Sequence, residues 1–421
     1  MSKAENGETW FGTPVVHLKP LDATAAAEGL SDLADAAREG GYGKTAALLR
    51  GKSPLVAFLG AAFDLSPFLK GCARRYLKAL ENLFSTPLSE RLKEINEQIR
   101  ALGTREGQSE SLLMKELREA KGEAHFLIAL ADLAGAADAS VSVRRLSDLA
   151  DACVATAIDF LLLDANRTGK LKLVDPSKPA ERSGWIVLGM GKLGARELNF
   201  SSDIDLIIFF DPIAPAVPEP YEAADTFVRL TRRLVRILQD RTEHGYVFRT
   251  DLRLRPDPGS TPLAIPVEAA LIYYEGRGQN WERAAMIKAR PVAGDIEAGN
   301  AFLKELTPYV WRKYMDFAAI ADVHSIKRQI HAHKGHGEVA VKGHNVKLGR
   351  GGIREIEFFV QTQQLIAGGR FPELRGRETI EMLKVLAERG WITPDARDAL
   401  TAQYWFLRDV EHAIQMVADE Q

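Results

Sequence analysis

The segment WIVLGMGKLGARELNFSSDIDLIIFFD, Trp185 to Asp211, constrains this chain more than any other. Two apolar, β-forming runs bracket a glycine-rich turn, and both read as buried strands. Two carboxylates, Asp203 and Asp205, stand at the mouth of the second run. Strand residues two apart project to one side, so Asp203 and Asp205 face the same way. Close like charges repel, and both stay ionised only beside something positive. A divalent cation supplies that charge, and hard carboxylate oxygens suit Mg²⁺. Taken alone, DID can also be a turn capped by Ser201, Ser202 and Asp203.

The glycines GMGKLG formally match the dinucleotide fingerprint G-x-G-x-x-G, with Asp211 as its acid. The spacing argues against it. Only Ala195 to Asp203 separate Gly194 from the next strand, whereas a crossover with its helix needs about a dozen residues or more. No G-x-x-x-x-G-K-[ST] occurs, which excludes a P-loop.

A second segment, GYVFRTDLRLRP, alternates strictly. Read as a strand, it places Tyr246, Phe248, Thr250, Leu252 and Leu254 on one face and Val247, Arg249, Asp251, Arg253 and Arg255 on the other. A solvated sheet surface can look like this. The sharper interpretation makes Asp251 a third metal ligand and the arginines holders of phosphate oxygens, for which a planar fork of donors is suited.

Around these segments the chain is organised in three parts. At 421 residues it exceeds one ordinary core. Residues 1–180 are rich in helix formers: SDLADAAREGG runs from a Ser start to a Gly-Gly stop, LSERLKEINEQIRALG carries Leu92, Ile95 and Ile99 on one stripe, and VRRLSDLADACVATAIDFLLLD is a buried helix. VDPSKPAERSG marks a linker. Residues 184–300 form an α/β block with strands at WIVLGM, IDLIIFF, GYVFRTDLRL and TPLAIP around the helix YEAADTFVRLTRRLVRILQD. Residues 301–421 return to helix, interrupted by KLGRGGIREIEF. The fold class expected is α+β, mostly helical, with a small mixed sheet flanked by helical regions. The final YWFLRDVEHAIQMVADEQ reads as a helix stopping without a cap, so the protein is expected to continue beyond residue 421.

Bulk properties narrow the partners. With 55 basic and 57 acidic residues the net charge is −2, which gives no general pull toward nucleic acid or a membrane. The two cysteines, Cys72 and Cys153, make no metal or disulfide pattern, and the N-terminus has no signal-peptide form. A cytoplasmic protein is expected.

Gly191, followed by eleven residues and then Asp203-Ile-Asp205, resembles the polymerase-β-type nucleotidyltransferase superfamily. The runs LGMGKLGARELNFSSDIDLIIFF, VFRTDLRLRPD, NWERAAMIKARPVAGD, KLGRGGIREIEFFVQTQQLIAGG and FLRDVEH resemble, in order and spacing, the glutamine synthetase adenylyltransferases. The wording ELNFSSDIDL and WERAAMIKAR is similar to the N-terminal, adenylyl-removing half of that family.

The resemblance implies a metal-dependent enzyme that removes AMP from a tyrosine of glutamine synthetase: phosphate attacks, and ADP leaves. Adenylylation with ATP, or another transferase of the superfamily, is the alternative. Asp203, Asp205 and Asp251 stand at its catalytic and metal positions, with two Mg²⁺ ions. Gly191, Lys192 and Gly194 stand at its phosphate turn, beside Ser202, and Arg253 and Arg255 near the phosphates. Lys288, Arg290, Lys347 and Arg350 are further phosphate or nucleotide candidates, with ion pairs between domains as the equal alternative. The resemblance also implies control by the PII signal protein. Glu355 and Glu357 are two apart, do not share a helix face and are not expected as ligands. His331, His333 and His336 tempt a metal assignment, but the local glycine favours a loop.

Overall fold

The N-terminal helices begin one turn and more before the sequence signal. In this computed structural model, which describes residues 14, 18–82, 86–312 and 344–420, α1 spans Ala23–Glu39. Ser31, the expected start, lies inside it. The Asp22 carboxylate is the cap, accepting the backbone N–H of Thr24 at 2.8 Å and of Ala25 at 3.1 Å, and an acidic cap outcompetes a serine already within a good helical run. The helices α2 (Gly43–Leu49), α3 (Pro54–Leu65), α4 (Pro67–Arg75), α5 (Leu77–Asn82), α6 (Leu88–Gly103), α7 (Glu110–Leu133) and α8 (Ala139–Arg167) follow. The α6 stripe of Leu92, Ile95 and Ile99 is buried, as is most of α8. The segment 174–184 has neither helix nor strand, in keeping with its prolines.

Five strands make the sheet: β1 (Trp185–Gly189), β2 (Ile204–Phe210), β3 (Thr250–Asp251), β4 (Ala264–Pro266) and β5 (Arg290–Gly294). β1 runs antiparallel to both β2 and β5, while β3 and β4 pair parallel with successive parts of the same β2 edge. The sheet is mixed, and helices outweigh it, as the composition of the segments implied. Alternation divides it between two layers. Trp185, Val187, Ile204, Leu206, Ile208 and Phe210 join the core formed by the N-terminal helices and α10 (Ala223–Gln239). Ile186, Leu188, Ile207 and Phe209 pack on the other side against α11 (Val267–Gly276), α12 (Asn280–Met286), α13 (Ile296–Glu305) and α14 (Thr307–Val310). Asp203 and Asp205 belong to the row of Ile207 and Phe209, at its open end.

The long strand expected at GYVFRTDLRL does not form. Only Thr250 and Asp251 pair with β2, and Val247 and Phe248, predicted on opposite faces, are both buried in one core. The cause lies at Asp251, whose Oδ1 accepts the Arg253 backbone N–H at 2.8 Å. This local bond turns the chain off the edge, a habit of aspartate that competes with sheet pairing.

After residue 343 come α15 (Ile353–Ala367), α16 (Thr379–Glu388) and α17 (Pro394–Ala418). Contrary to expectation α17 has a C-cap: Asp419 is left-handed at φ 55°, and its N–H bonds Gln415 O. The histidines His331, His333 and His336 lie outside the described residues.

Candidate active site

The glycine turn sits over the carboxylates because β1 and β2 are antiparallel neighbours and the turn joins them directly. Met190 N–H donates to Asp205 O at 2.9 Å, and the short helix α9 (Gly191–Gly194) follows. Gly191 has φ 50°, and a β-carbon there would stand 2.9 Å from Asp205 Oδ2. The turn therefore lies against the carboxylate and leaves no room for a side chain between them.

β3 brings the third acid, since its register sets Asp251 directly beside Asp205. Asp205 makes no side-chain hydrogen bond among the described residues, and its carboxyl is pushed up to about 6, first by burial and then by Asp251, with Asp203 adding to the effect and Arg354 and Lys347 opposing it. The flanking acids are differently placed. Asp203 Oδ1 accepts from Arg249 Nε at 2.6 Å. Asp251 is held below its ordinary range chiefly by the Arg253 guanidinium, which bonds both its oxygens. Beside Asp203 and Asp251 opens a cavity of about 760 Å³, lined also by Arg232, Arg241 and Tyr246 but not by Asp205.

Among the described residues no group of three or more His, Cys, Asp or Glu side chains is placed to hold a metal ion unaided. Asp203, Asp205 and Asp251 are therefore not gathered as three ligands of one ion; Mg²⁺ can bind through one or two carboxylates, with water and phosphate filling its sphere. The uncompensated Asp205 carboxyl fits such an ion. So does Ser202, whose Oγ is buried with no partner among the described residues.

The expected phosphate contacts divide in two. Gly191, Ser202 and Arg253 adjoin the acids; Arg253 is 83% exposed while its guanidinium pairs with Asp251. Lys347 acts electrostatically on Asp205, and Arg350 is exposed with its carbonyl bonded to His344. The others are engaged in structural contacts, most of them around the turn. Lys192 is buried against Glu411 at 3.1 Å, and burial, with Arg408 adding, brings its ammonium down to about 7. Arg255 donates to the carbonyls of Leu252, Pro258 and Thr261 in its own loop. Arg290 grips Asp151 through both nitrogens, at 2.8 and 3.0 Å, and also binds Leu193 O and Gly194 O. Lys288 is buried between Glu197 (3.0 Å) and Glu357 (3.3 Å).

Gly194 is likewise a packing glycine. A β-carbon would fall 1.9 Å from Lys288 O and 2.5 Å from Gly189 O, both backbone atoms. Gly194→Ala is therefore expected to cost about 3 kcal/mol or more through overpacking, whereas Gly191→Ala should fold and lose activity as Asp205 is displaced. Urea unfolding beside a turnover assay separates the two; a fully stable Gly194→Ala would contradict this packing.

Sequence reasoning missed Glu411, Asn199 and Gln415. Asn199 Nδ2 bonds Glu411, and Ser201 N–H bonds Gln415 Oε1 at 3.0 Å. Their signal was present in FLRDVEHAIQMVAD: Arg408, Glu411, Gln415 and Asp419 recur at helical spacing, but a polar stripe ordinarily means a solvated face.

A glycine turn over a D-x-D pair, with a third acid from a neighbouring strand, is the arrangement that the resemblance to polymerase-β-type nucleotidyltransferases led one to expect. Comparison with known sequences narrows this. A family profile described as glutamate-ammonia ligase adenylyltransferase matches residues 56–305, and the chain belongs to that family. A second profile, GlnD PII-uridylyltransferase, matches residues 324–421. A Mesorhizobium japonicum protein named bifunctional glutamine synthetase adenylyltransferase/adenylyl-removing enzyme is 71% identical over 98% of this chain and 42% of its own. Proteins of the same name from Brucella melitensis, 65% identical over 98% of this chain, and Rhizobium meliloti, 60% identical over 97%, are matched over 42% of theirs. The chain thus spans less than half the length of these relatives.

Proposed function

We propose that this chain removes AMP from an adenylylated tyrosine of glutamine synthetase by phosphorolysis, in the cytoplasm and under the influence of the PII protein. The observation that carries the reading is the half-buried Asp205, without a side-chain hydrogen bond among the described residues, between Asp203 and Asp251 beneath Gly191. Such a concentration of negative charge destabilises the free protein and is useful where cations and phosphate are to be gathered. The removing direction is supported by the wording of ELNFSSDIDL, and the relatives' name includes both activities.

In the reaction a phosphate oxygen forms a bond to the α-phosphorus and the bond from phosphorus to the tyrosine oxygen breaks. The products are ADP and tyrosine, whose oxygen takes a proton. One or two of the carboxylates of Asp203, Asp205 and Asp251 would hold each of two Mg²⁺ ions, with water and phosphate completing its sphere, and the ions when bound would supply the positive charge that brings anionic reactants together. Arg253 would meet phosphate oxygens, and the buried turn from Gly191 to Ser202 would hold the adenylyl group against water. Nothing in this scheme calls for a covalent enzyme intermediate.

The test is ADP release from adenylylated glutamine synthetase with phosphate and Mg²⁺. Asp203→Asn is expected to lower the rate by about a hundredfold or more, and chelation or omission of phosphate to abolish it. ATP-dependent labelling of unmodified glutamine synthetase, without ADP release, would reverse the direction. Absence of both reactions would sink the reading.

A further inference from the structure

The end of α17 reaches the D-x-D pair through a chain of hydrogen bonds that no catalytic role requires. Asp419 Oδ2 accepts from Tyr246 Oη at 2.7 Å, and Tyr246 Oη accepts from Arg249 Nη1 at 2.9 Å. Arg249 Nε then donates to Asp203 Oδ1 at 2.6 Å, while its Nη2 reaches Ser201 O and Oγ. One turn earlier on α17, Gln415 Oε1 takes the Ser201 N–H. On the opposite flank His125 of α7 meets Phe200 O at 2.7 Å and stacks on the Phe200 ring, centroids 3.8 Å apart. The residues before Asp203 are thus gripped from three elements.

We propose that Tyr246 and Asp419 are positioning residues that hold Arg249 against Asp203, so that the end of α17 sets the direction of the first catalytic carboxylate. A guanidinium presents five donors in a rigid plane, and partners along three of its edges fix it where an isolated ion pair would swing. Asp419 supplies a separate indication. It is left-handed, a conformation that most side chains resist and aspartate tolerates better, and this conformation accompanies a carboxylate turned back into the protein onto Tyr246. Burial works to protonate that carboxyl, but Lys121, His125 and the Tyr246 hydroxyl outweigh it and keep it low. The assignment rests on Asp203 serving nucleotidyl transfer.

Tyr246→Phe removes only the hydroxyl. Its kcat for ADP release should fall about tenfold with the KM for adenylylated glutamine synthetase unchanged, since misplacing a catalytic group costs turnover rather than substrate binding. Asp419→Ala should match it, and Asp419→Asn, which keeps an acceptor for the phenol, should retain most of the rate. The double variant Tyr246→Phe/Asp419→Ala should be no slower than either single one, as for residues acting in one unit. Wild-type kcat in Tyr246→Phe, or losses that multiply in the double variant, would overturn the proposal. A measurement needing no turnover accompanies these: amide exchange of Ser201 to Ile204 should quicken in Tyr246→Phe. Should the wild type release no ADP, the proposed reaction falls, and unchanged exchange over these residues would sink the positioning role separately.

Discussion

Asp205→Asn should abolish nucleotidyl transfer and, in chelator at pH 8, make the protein harder to unfold. The two effects share one cause. The Asp205 carboxyl stands at about 6 in the folded protein against an ordinary 3.8, raised by burial and by Asp251. An acid that binds its proton more tightly folded than unfolded loses stability as pH rises between those values, and the full penalty applies above about pH 6. Two pKa units correspond to about 3 kcal/mol, reduced to about 1–2 kcal/mol by the partial exposure of the site. Asparagine keeps the shape and removes the charge. Its urea midpoint should exceed that of the wild type at pH 8, and the gap should shrink as pH falls from 6 to 4. A variant less stable than the wild type at pH 8 would mean that the carboxylate already has a partner, and the cation-gathering role of this cluster would lose its basis.

Lys288→Ala should give the largest loss of stability. Its ammonium lies between two buried acids and also meets Thr379 Oγ1 at 3.2 Å. Burial would raise the Glu357 carboxyl, but Lys288, Lys192, Arg354 and Arg408 together hold it down at about 2, so it remains charged. Removing the lysine takes from both buried carboxylates the cation in direct contact with them, and breaking such a pair costs about 3–5 kcal/mol. Replacing the charges together, as Lys288→Met with Glu357→Gln, should restore part of this. Urea unfolding reads both results. An unchanged midpoint with a raised KM for phosphate would instead make Lys288 a ligand contact.

The network around Lys288 also ties the molecule together. Glu197 follows the glycine turn, Glu357 lies on α15, and Thr379 opens α16, its backbone N–H donating to Glu197 Oε1 at 2.8 Å. The last two basic residues of WERAAMIKAR are therefore fasteners of the turn: Arg290 binds its last carbonyls and Lys288 its following acid. Ion pairing and ligand contact were equal readings from sequence, because both need a cation at a fixed place.

Where apolar periodicity ran for a full element, sequence and structure agree. β1 and β2, the stripe of α6, the buried α8 and the amphipathic α10 were all legible, because each buries a face whose period is written in its own residues. The shared side of Asp203 and Asp205 was legible for the same reason. β3 and β5 were not. β3 is two residues long and exists only as an addition to the β2 edge, and β5, RPVAG, carries no alternation because both of its faces are covered.

The sequence by itself determined that a glycine turn joins two buried strands and that two carboxylates leave the second strand together. These are consequences of strand geometry and need no distant partner. Only the tertiary structure decided which cations meet which acids. Arg249 rather than Arg255 reaches Asp203, Lys288 joins the turn to α15 and α16, and α17 turns a polar stripe inward onto Ser201 and Tyr246. A polar residue is written the same way whether water or a buried partner satisfies it, and that choice is made when the helices close over the sheet.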